Sequence, residues 1–300
     1  VLAEAPTHAN AVAVKVGVLH ARGRTESALA ALAAGIARIP ESVDLRLLQI
    51  ALLEQAGDAA AAREAYADLV ELEPDVASHR VALARFFERQ GDALAARTVL
   101  REALDDLEAS EGLGERLVAL IYREEGADAA DEELRRLLAA DPGEQRYRFL
   151  RAELLLRQGR VEDAQAVLET ITEQGSEAER HDARAAIARL RLGADDVDGA
   201  RAAADAVLEE DGAHRGARFV RGLVHLLDGD ADAALRAARS ALHADPTWTP
   251  ALKLLGEAHL RRGERNIAIR MLRDVVELDA RDGPAQQVLA TLLTQRGDFE

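Results

Sequence analysis

A spacing, rather than a motif, sets the tightest limit on what this chain can fold into. Glycine recurs at positions 23, 57, 91, 126, 159, 193, 229, 263 and 297, in steps of 33 to 36 residues. A second series lies just downstream at Ala28, Ala62, Ala96, Ala130, Ala164, Ala200, Ala234 and Ala268. Its steps are all 34 except one of 36, between Ala164 and Ala200. Pro6, Pro40 and Pro74 form a third, partial series, with Pro142 and Pro246 in later registers. A period of this length marks a repeat architecture, in which a unit too small to bury its own apolar face stacks on its neighbours.

Each series has a physical cause. Glycine ends a first helix, where a left-handed residue without Cβ is least strained. Alanine sits where the second helix crosses the first closely. Proline follows the second helix, since it cannot donate the next helical hydrogen bond. Between these marks the apolar residues keep a helical period, as in Leu45, Leu48 and Leu52 or Leu150, Leu154 and Leu155. The composition agrees: 48% of residues are hydrophobic but only 3% aromatic, and Ala, Leu, Arg and Glu, all good helix formers, dominate.

A net charge of −16 argues against nucleic acid and against an anionic membrane surface as partners. No apolar run reaches the eighteen or so residues that would suggest a membrane span. The absence of cysteine removes disulfides, thiolate metal sites and thiol nucleophiles. Residues 1–8 lack the basic and apolar regions of a signal peptide and are expected to be the end of a preceding repeat.

With its small residue in the first helix, turn glycine, alanine and large apolar residue in the second and closing proline, the pattern resembles the tetratricopeptide repeat. Gly222, Gly229, Ala234, Ala241 and Pro246 show it in one repeat, and Leu252, Leu255, Gly256, Gly263, Ala268 and Leu272 in the next. The first-helix small position reads Ala84, Ala152, Ala186, Gly222, Gly256 and Ala290, against Val16, Ile50 and Val118 elsewhere. The family's tryptophan is absent. The resemblance implies an all-α fold, a right-handed superhelical solenoid of antiparallel helix pairs with about eight and a half repeats. A single solenoid is expected over residues 9–300, its repeats starting near 9, 43, 77, 111, 145, 179, 215, 249 and 283. The two extra residues of repeat six are expected in its turn, Gly193 to Gly199, and residues 105–114 form the weakest helix boundary.

No catalytic pattern is present, so the chain is expected not to be an enzyme, and it points to no cofactor and no metal. The acidic turn places Asp196, Asp198 and Gly199 at EF-hand-like positions. Ala194 and Asp205 stand where ligands are needed, so carboxylates at a helix N-terminus explain the turn better. His225 and His259 occupy equivalent positions in successive repeats, where they substitute for the family's interhelical tyrosine.

Arg89, Arg123, Arg157 and Arg191 recur every 34 residues at the ends of first helices, with Arg261 further on. The resemblance implies that first helices line a concave groove, with Arg85, Arg116, Arg146 and Arg180 on or near the same surface. Such a row suits an acidic peptide or carboxylated polymer, although a cation at a helix C-terminus is also favoured by the dipole alone. Phe219, Leu223, Leu226 and Leu227 make a more apolar surface towards the C-terminal end, suited to a partner helix. The expected function is a scaffold for a protein or acidic polymer partner. The repeats also resemble those of large bacterial cell-envelope and exopolysaccharide-associated proteins, which favours the periplasm or envelope. The alternatives are a cytoplasmic assembly module and the recognition arm of an enzyme. Self-association through open solenoid ends is a further expectation.

Overall fold

The turn glycines dictate where first helices stop, and the architecture follows from them. The computed structural model describes residues 9–107, 112–243 and 245–296, and over these it contains seventeen α-helices and no strand. The expected end of a preceding repeat at residues 1–8, and Gly297, lie outside the described residues.

The chain divides into two compact units, Val1–Leu137 and Leu138–Glu300. The first holds α1 (Ala9–Ala21), α2 (Thr25–Arg38), α3 (Val43–Ala56), α4 (Ala59–Leu72), α5 (Ala77–Arg89), α6 (Ala93–Asp106), α7 (Leu113–Glu125) and most of α8 (Ala127–Ala140). The second holds α9 (Gln145–Arg157), α10 (Val161–Gln174), α11 (Glu177–Gly193), α12 (Val197–Glu210), α13 (Arg215–Leu227), α14 (Ala231–Leu242), α15 (Thr249–Arg261), α16 (Arg265–Leu278) and α17 (Gly283–Arg296). Odd-numbered first helices and even-numbered second helices form sequential antiparallel pairs, a solenoid of about eight and a half tetratricopeptide-like repeats.

The turn inside each repeat closes in a recurring way. At Gly57 (φ 74°) the chain turns left-handed, and the Asp58 N–H reaches back to the Leu53 carbonyl. The same six-to-one bond joins Arg24 to Leu19, Asp92 to Phe87, Arg160 to Leu155, Asp230 to His225 and Glu264 to His259, at 2.8–3.0 Å. This closure satisfies a carbonyl that the ending helix would leave unpaired. Repeat six makes the same bond, from Asp196 to Arg191 at 2.9 Å, without a glycine. There Asp195 (φ 61°) takes the left-handed position, the one non-glycine residue with positive φ among the described residues. Gly193 lies inside α11. The expectation that the two extra residues enlarge the turn is therefore corrected: they lengthen α11 to 17 residues, and the turn keeps its ordinary closure. Ala186 is accordingly only half-buried, while Ala188, two residues on, is fully buried.

All eight ladder alanines have zero exposure. Each donates its N–H to the carbonyl of the residue four before it, at the N-cap of the second helix. In four repeats that cap is an aspartate, Asp58, Asp92, Asp196 or Asp230, whose carboxylate accepts the amide three residues on at 2.9–3.1 Å. The small first-helix position has the same steric origin. A Cβ on Gly222 would lie 2.6 Å from Leu254 Cδ2 and 3.1 Å from Ala237 Cβ. Ala290, on α17, is exposed.

The cores are shared between neighbours. Ala152, Leu155, Ala164, Leu168, Ile171, Ala183 and Ile187 join α9, α10 and α11 in one cluster. Ile50, Leu53, Tyr66, Leu69, Leu83 and Phe86 do the same for α3, α4 and α5. A further device went unread in the sequence. Arg46, Arg80, Arg148 and Arg218 sit near the starts of first helices, and each reaches the end of its repeat's second helix, at Asp68, Asp106, Gln174 and Ser240 respectively. Arg46, Arg148 and Arg218 also donate to a turn carbonyl six residues back, on Pro40, Pro142 and Gly212.

Two measurements probe these causes. Ala28→Leu should destabilise by about 1–3 kcal/mol through overpacking, whereas Ala30→Leu, on the exposed side of α2, should change stability by about 0.5 kcal/mol or less; urea melts of both variants check the contrast. Asp195→Gly should stabilise by roughly 0.5–1 kcal/mol, by relieving a left-handed residue that carries a Cβ, and a lower melting temperature would contradict that account.

Candidate functional site

The arginines that close first helices lie where the helix dipole favours a cation. In the first unit they are tied to glutamates on the preceding first helix. Arg89 of α5 pairs with Glu54 of α3, which also accepts the Tyr66 hydroxyl at 3.2 Å. Burial pushes the Tyr66 phenol pKa up, so it stays a donor. Glu88 of α5 holds two arginines of α7, Arg116 at 2.5 Å and Arg123 at 3.1 Å. Arg123 also reaches Glu124 at 2.8 Å. Arg85 lies exposed on α5, one turn before Arg89. Arg89 and Arg123 remain about half exposed even when paired.

In the second unit the corresponding arginines make bonds to groups close by in the chain. Arg146 contacts Glu144 at 3.3 Å, and Arg157 contacts Glu153 at 2.7 Å, one turn away on α9. Arg180 donates to the Gly175 carbonyl at the end of α10, and Arg191 to the Gly199 carbonyl on α12. The row is thus linked across α3, α5 and α7 by the carboxylates of Glu54 and Glu88, whereas these four bonds of the second unit span no more than eight residues of chain.

The apolar surface includes a pocket. Phe219, Leu223, Leu226, Leu254, Leu260 and Val288 line a pocket of about 330 Å³ formed by α13, α15, α16 and α17. Leu227 lies on α13 at 63% exposure, outside that lining. The two charges on the pocket wall are engaged, Lys253 with Asp282 at 2.6 Å and Glu257 with Arg261 at 3.0 Å.

A second pocket, of about 410 Å³, was not foreseen. It opens between α11 and α13, and Phe219 borders both pockets. Ala178, Ala185, Ala186 and Gly216 leave its space, and Asp182, Arg189, His214 and Arg215 supply its charge and polarity. Trp248 forms one wall, edge-on to Phe219 at 5.1 Å, with the Arg215 guanidinium 4.7 Å above its ring. The signal was available, since Trp248 is the one tryptophan in the chain.

The remaining candidates take structural roles. Asp196 caps α12 through the Gly199 N–H at 2.9 Å, Asp198 is fully exposed, and Asp205 pairs with Arg221. His259 is buried and bonds Glu264, which holds that carboxyl below its usual range. His225 is half-buried, and burial followed by the nearby Arg221 charge lowers its pKa. Among the described residues no group of three His, Cys, Asp or Glu could hold a metal ion, and no helix is long and apolar enough to cross a membrane.

Comparison with known proteins places this geometry. Two tetratricopeptide repeat family models match, one over residues 123–187 and 225–293, the other over 47–112 and 185–247. Among curated proteins, none matches the chain. A tetratricopeptide repeat protein from Parabacteroides merdae ATCC 43184 is similar in fold, with a TM-score of 0.58 and 16% identity over 84% of this chain and 98% of its own. The structure of the APC/C hetero-tetramer Cut9–Hcn1 aligns at a TM-score of 0.52 and 14% identity. That match covers 96% of this chain and 56% of the other. The alanine ladder, the turn closures and the family models agree: this chain belongs to the tetratricopeptide repeat family.

Proposed function

We propose that the chain is a protein-interaction scaffold that holds a partner against its first-helix faces, apolar side chains in the second unit and acidic groups beside the arginines. The observation that carries this reading is the open apolar pocket of α13, α15 and α17, with Leu223 half-buried on its wall. A pocket lined by aliphatic and aromatic side chains, its few charges already paired, suits apolar anchors of a helix or extended segment.

Acidic recognition draws on Arg85, Arg89, Arg116 and Arg123 in the first unit and on Arg146, Arg157, Arg180 and Arg191 in the second. Exposed ion pairs such as Arg157–Glu153 contribute only about 0–1 kcal/mol. A partner carboxylate can therefore replace the internal one at small cost and gain bidentate geometry. A bacterial envelope or polysaccharide-assembly setting is proposed on the sequence style of the repeats, for example Leu254 to Leu260. A cytoplasmic module, or the recognition arm of an enzyme, is the alternative.

Capture of partners from a lysate of the native organism tests both halves. Leu223→Asp should abolish capture of an apolar-anchored partner with helicity unchanged. Charge reversal at Arg123 and Arg157 to Glu should weaken capture of an acidic partner, and Glu88→Gln, which removes the charge shared by Arg116 and Arg123 and leaves Arg123 only its bond to Glu124, should strengthen it. Capture indifferent to all of these substitutions would end the proposal.

A further inference from the structure

We propose that His214 is a proton-controlled latch on the first turn of α13, and through that turn on the pocket between α11 and α13. It rests on the docking reading only in that the pocket adjoins the proposed docking surface at Phe219. The imidazole is the N-cap of α13: Nδ1 accepts the Ala217 N–H at 3.2 Å, and Nε2 lies 3.2 Å from Asp182 Oδ1. One proton arrangement serves both contacts, a lone pair on Nδ1 and a hydrogen on Nε2, which is a neutral tautomer. A second proton can go only to Nδ1. There it turns the acceptor into a donor facing a donor, at the helix end where the dipole opposes a cation.

The surroundings decide what the ring does next. From α11 it faces Asp182 and, edge-on at 6.1 Å, the ring of His181. His181 in turn meets Glu210 of α12 at 2.9 Å, and Arg184 shares that carboxylate. Asp211 in the turn, Arg189 across the pocket and Arg215 on α13, itself paired with Asp245 at 3.4 Å, border the same space. Asp182 and Asp211 favour the imidazolium, and Arg189, Arg215 and a charged His181 oppose it. The protonated ring keeps Asp182, which now pairs with a full charge, and releases Ala217. With 10% of the His214 side chain exposed, water has little access to take over the cap. The other helix N-termini capped by a side chain use Ser, Asp or Glu, which gain no proton in the range where imidazole titrates. Acidification therefore acts on α13 selectively among them.

The 300-residue chain without any partner is the sample, so failure here leaves the docking reading untouched. Long-range nitrogen–proton NMR reads the His214 tautomer, amide hydrogen exchange reads Ala217, and the single tryptophan reports on the pocket wall. The expected results are an unprotonated Nδ1 at pH 7.5 and, on lowering the pH to 5.5, Ala217 exchange about five- to tenfold faster after correction for its intrinsic rate. Trp248 emission shifts with the same midpoint. His214→Asn, whose amide oxygen caps without titrating, removes both changes, with His214→Ser as a second such variant. His181→Leu keeps them, leucine being the residue at the same repeat position in Leu45 and Leu113. An Nδ1–H tautomer at neutral pH, a transition that survives His214→Asn and His214→Ser, or one that disappears with His181→Leu overturns the proposal.

Discussion

The close crossing of the two helices of each repeat, through a fully buried alanine four residues into the second helix, is the constraint on which the fold depends. A side chain that ends at Cβ lets the backbones approach, and larger buried apolar residues pack against the neighbouring repeat. Cores consequently form across three helices rather than within two, as Leu155 of α9, Leu168 of α10 and Ile187 of α11 do. A repeat of this kind has no complete core of its own, and stability comes from stacking. One turn further along the second helix, repeats one, three, four, five and eight place Leu32, Leu100, Leu134, Leu168 and Leu272, whereas repeats six and seven place Ala204 and Ala238. The cluster joining α11, α12 and α13 therefore has no buried side chain larger than valine.

Electrostatics is layered on that framework without setting it. The chain carries a net charge of −16, yet its arginines are placed where they do structural jobs. Some latch turns and second-helix ends, as Arg218 does at Gly212 and Ser240. Others link successive first helices of the first unit through Glu54 and Glu88. At Glu133 burial alone would raise the carboxyl, and Arg136 and Arg101 outweigh it, leaving the pKa below its usual range. That pairing adds stability above the ordinary carboxylate range, lost as pH falls through the depressed value.

What could be read from the chain follows the strength of the steric signal. Zero exposure at eight alanines is the structural image of a period visible by eye, and Gly57 or Gly91 had to be turn residues because their left-handed backbone strains anything else. Repeat six misled because aspartate also tolerates that conformation. The glycine at 193 is a helical residue there, and Asp195 holds the positive φ. The arginine row was visible as a spacing, but its pairing was not, since Glu88 and Arg123 are neighbours only once α5 and α7 are packed. The pocket beside Trp248 was illegible for a different reason: it is made by what Ala178, Ala185, Ala186 and Gly216 lack.

That absence also explains why polar residues gather at this junction. A cluster built from alanine and valine buries less apolar area per helix than one built from leucine, so its share of the stacking energy is smaller. Local opening is least costly where apolar burial is least. Directional contacts then carry more of the geometry: the His214 cap on α13, the His181–Glu210 bond and the Arg221–Asp205 pair all lie within these two repeats. Contacts of that kind depend on protonation and ionic strength in ways that leucine packing does not. At the junction of α11 and α13 the polar contacts therefore lie over a core of alanine and valine.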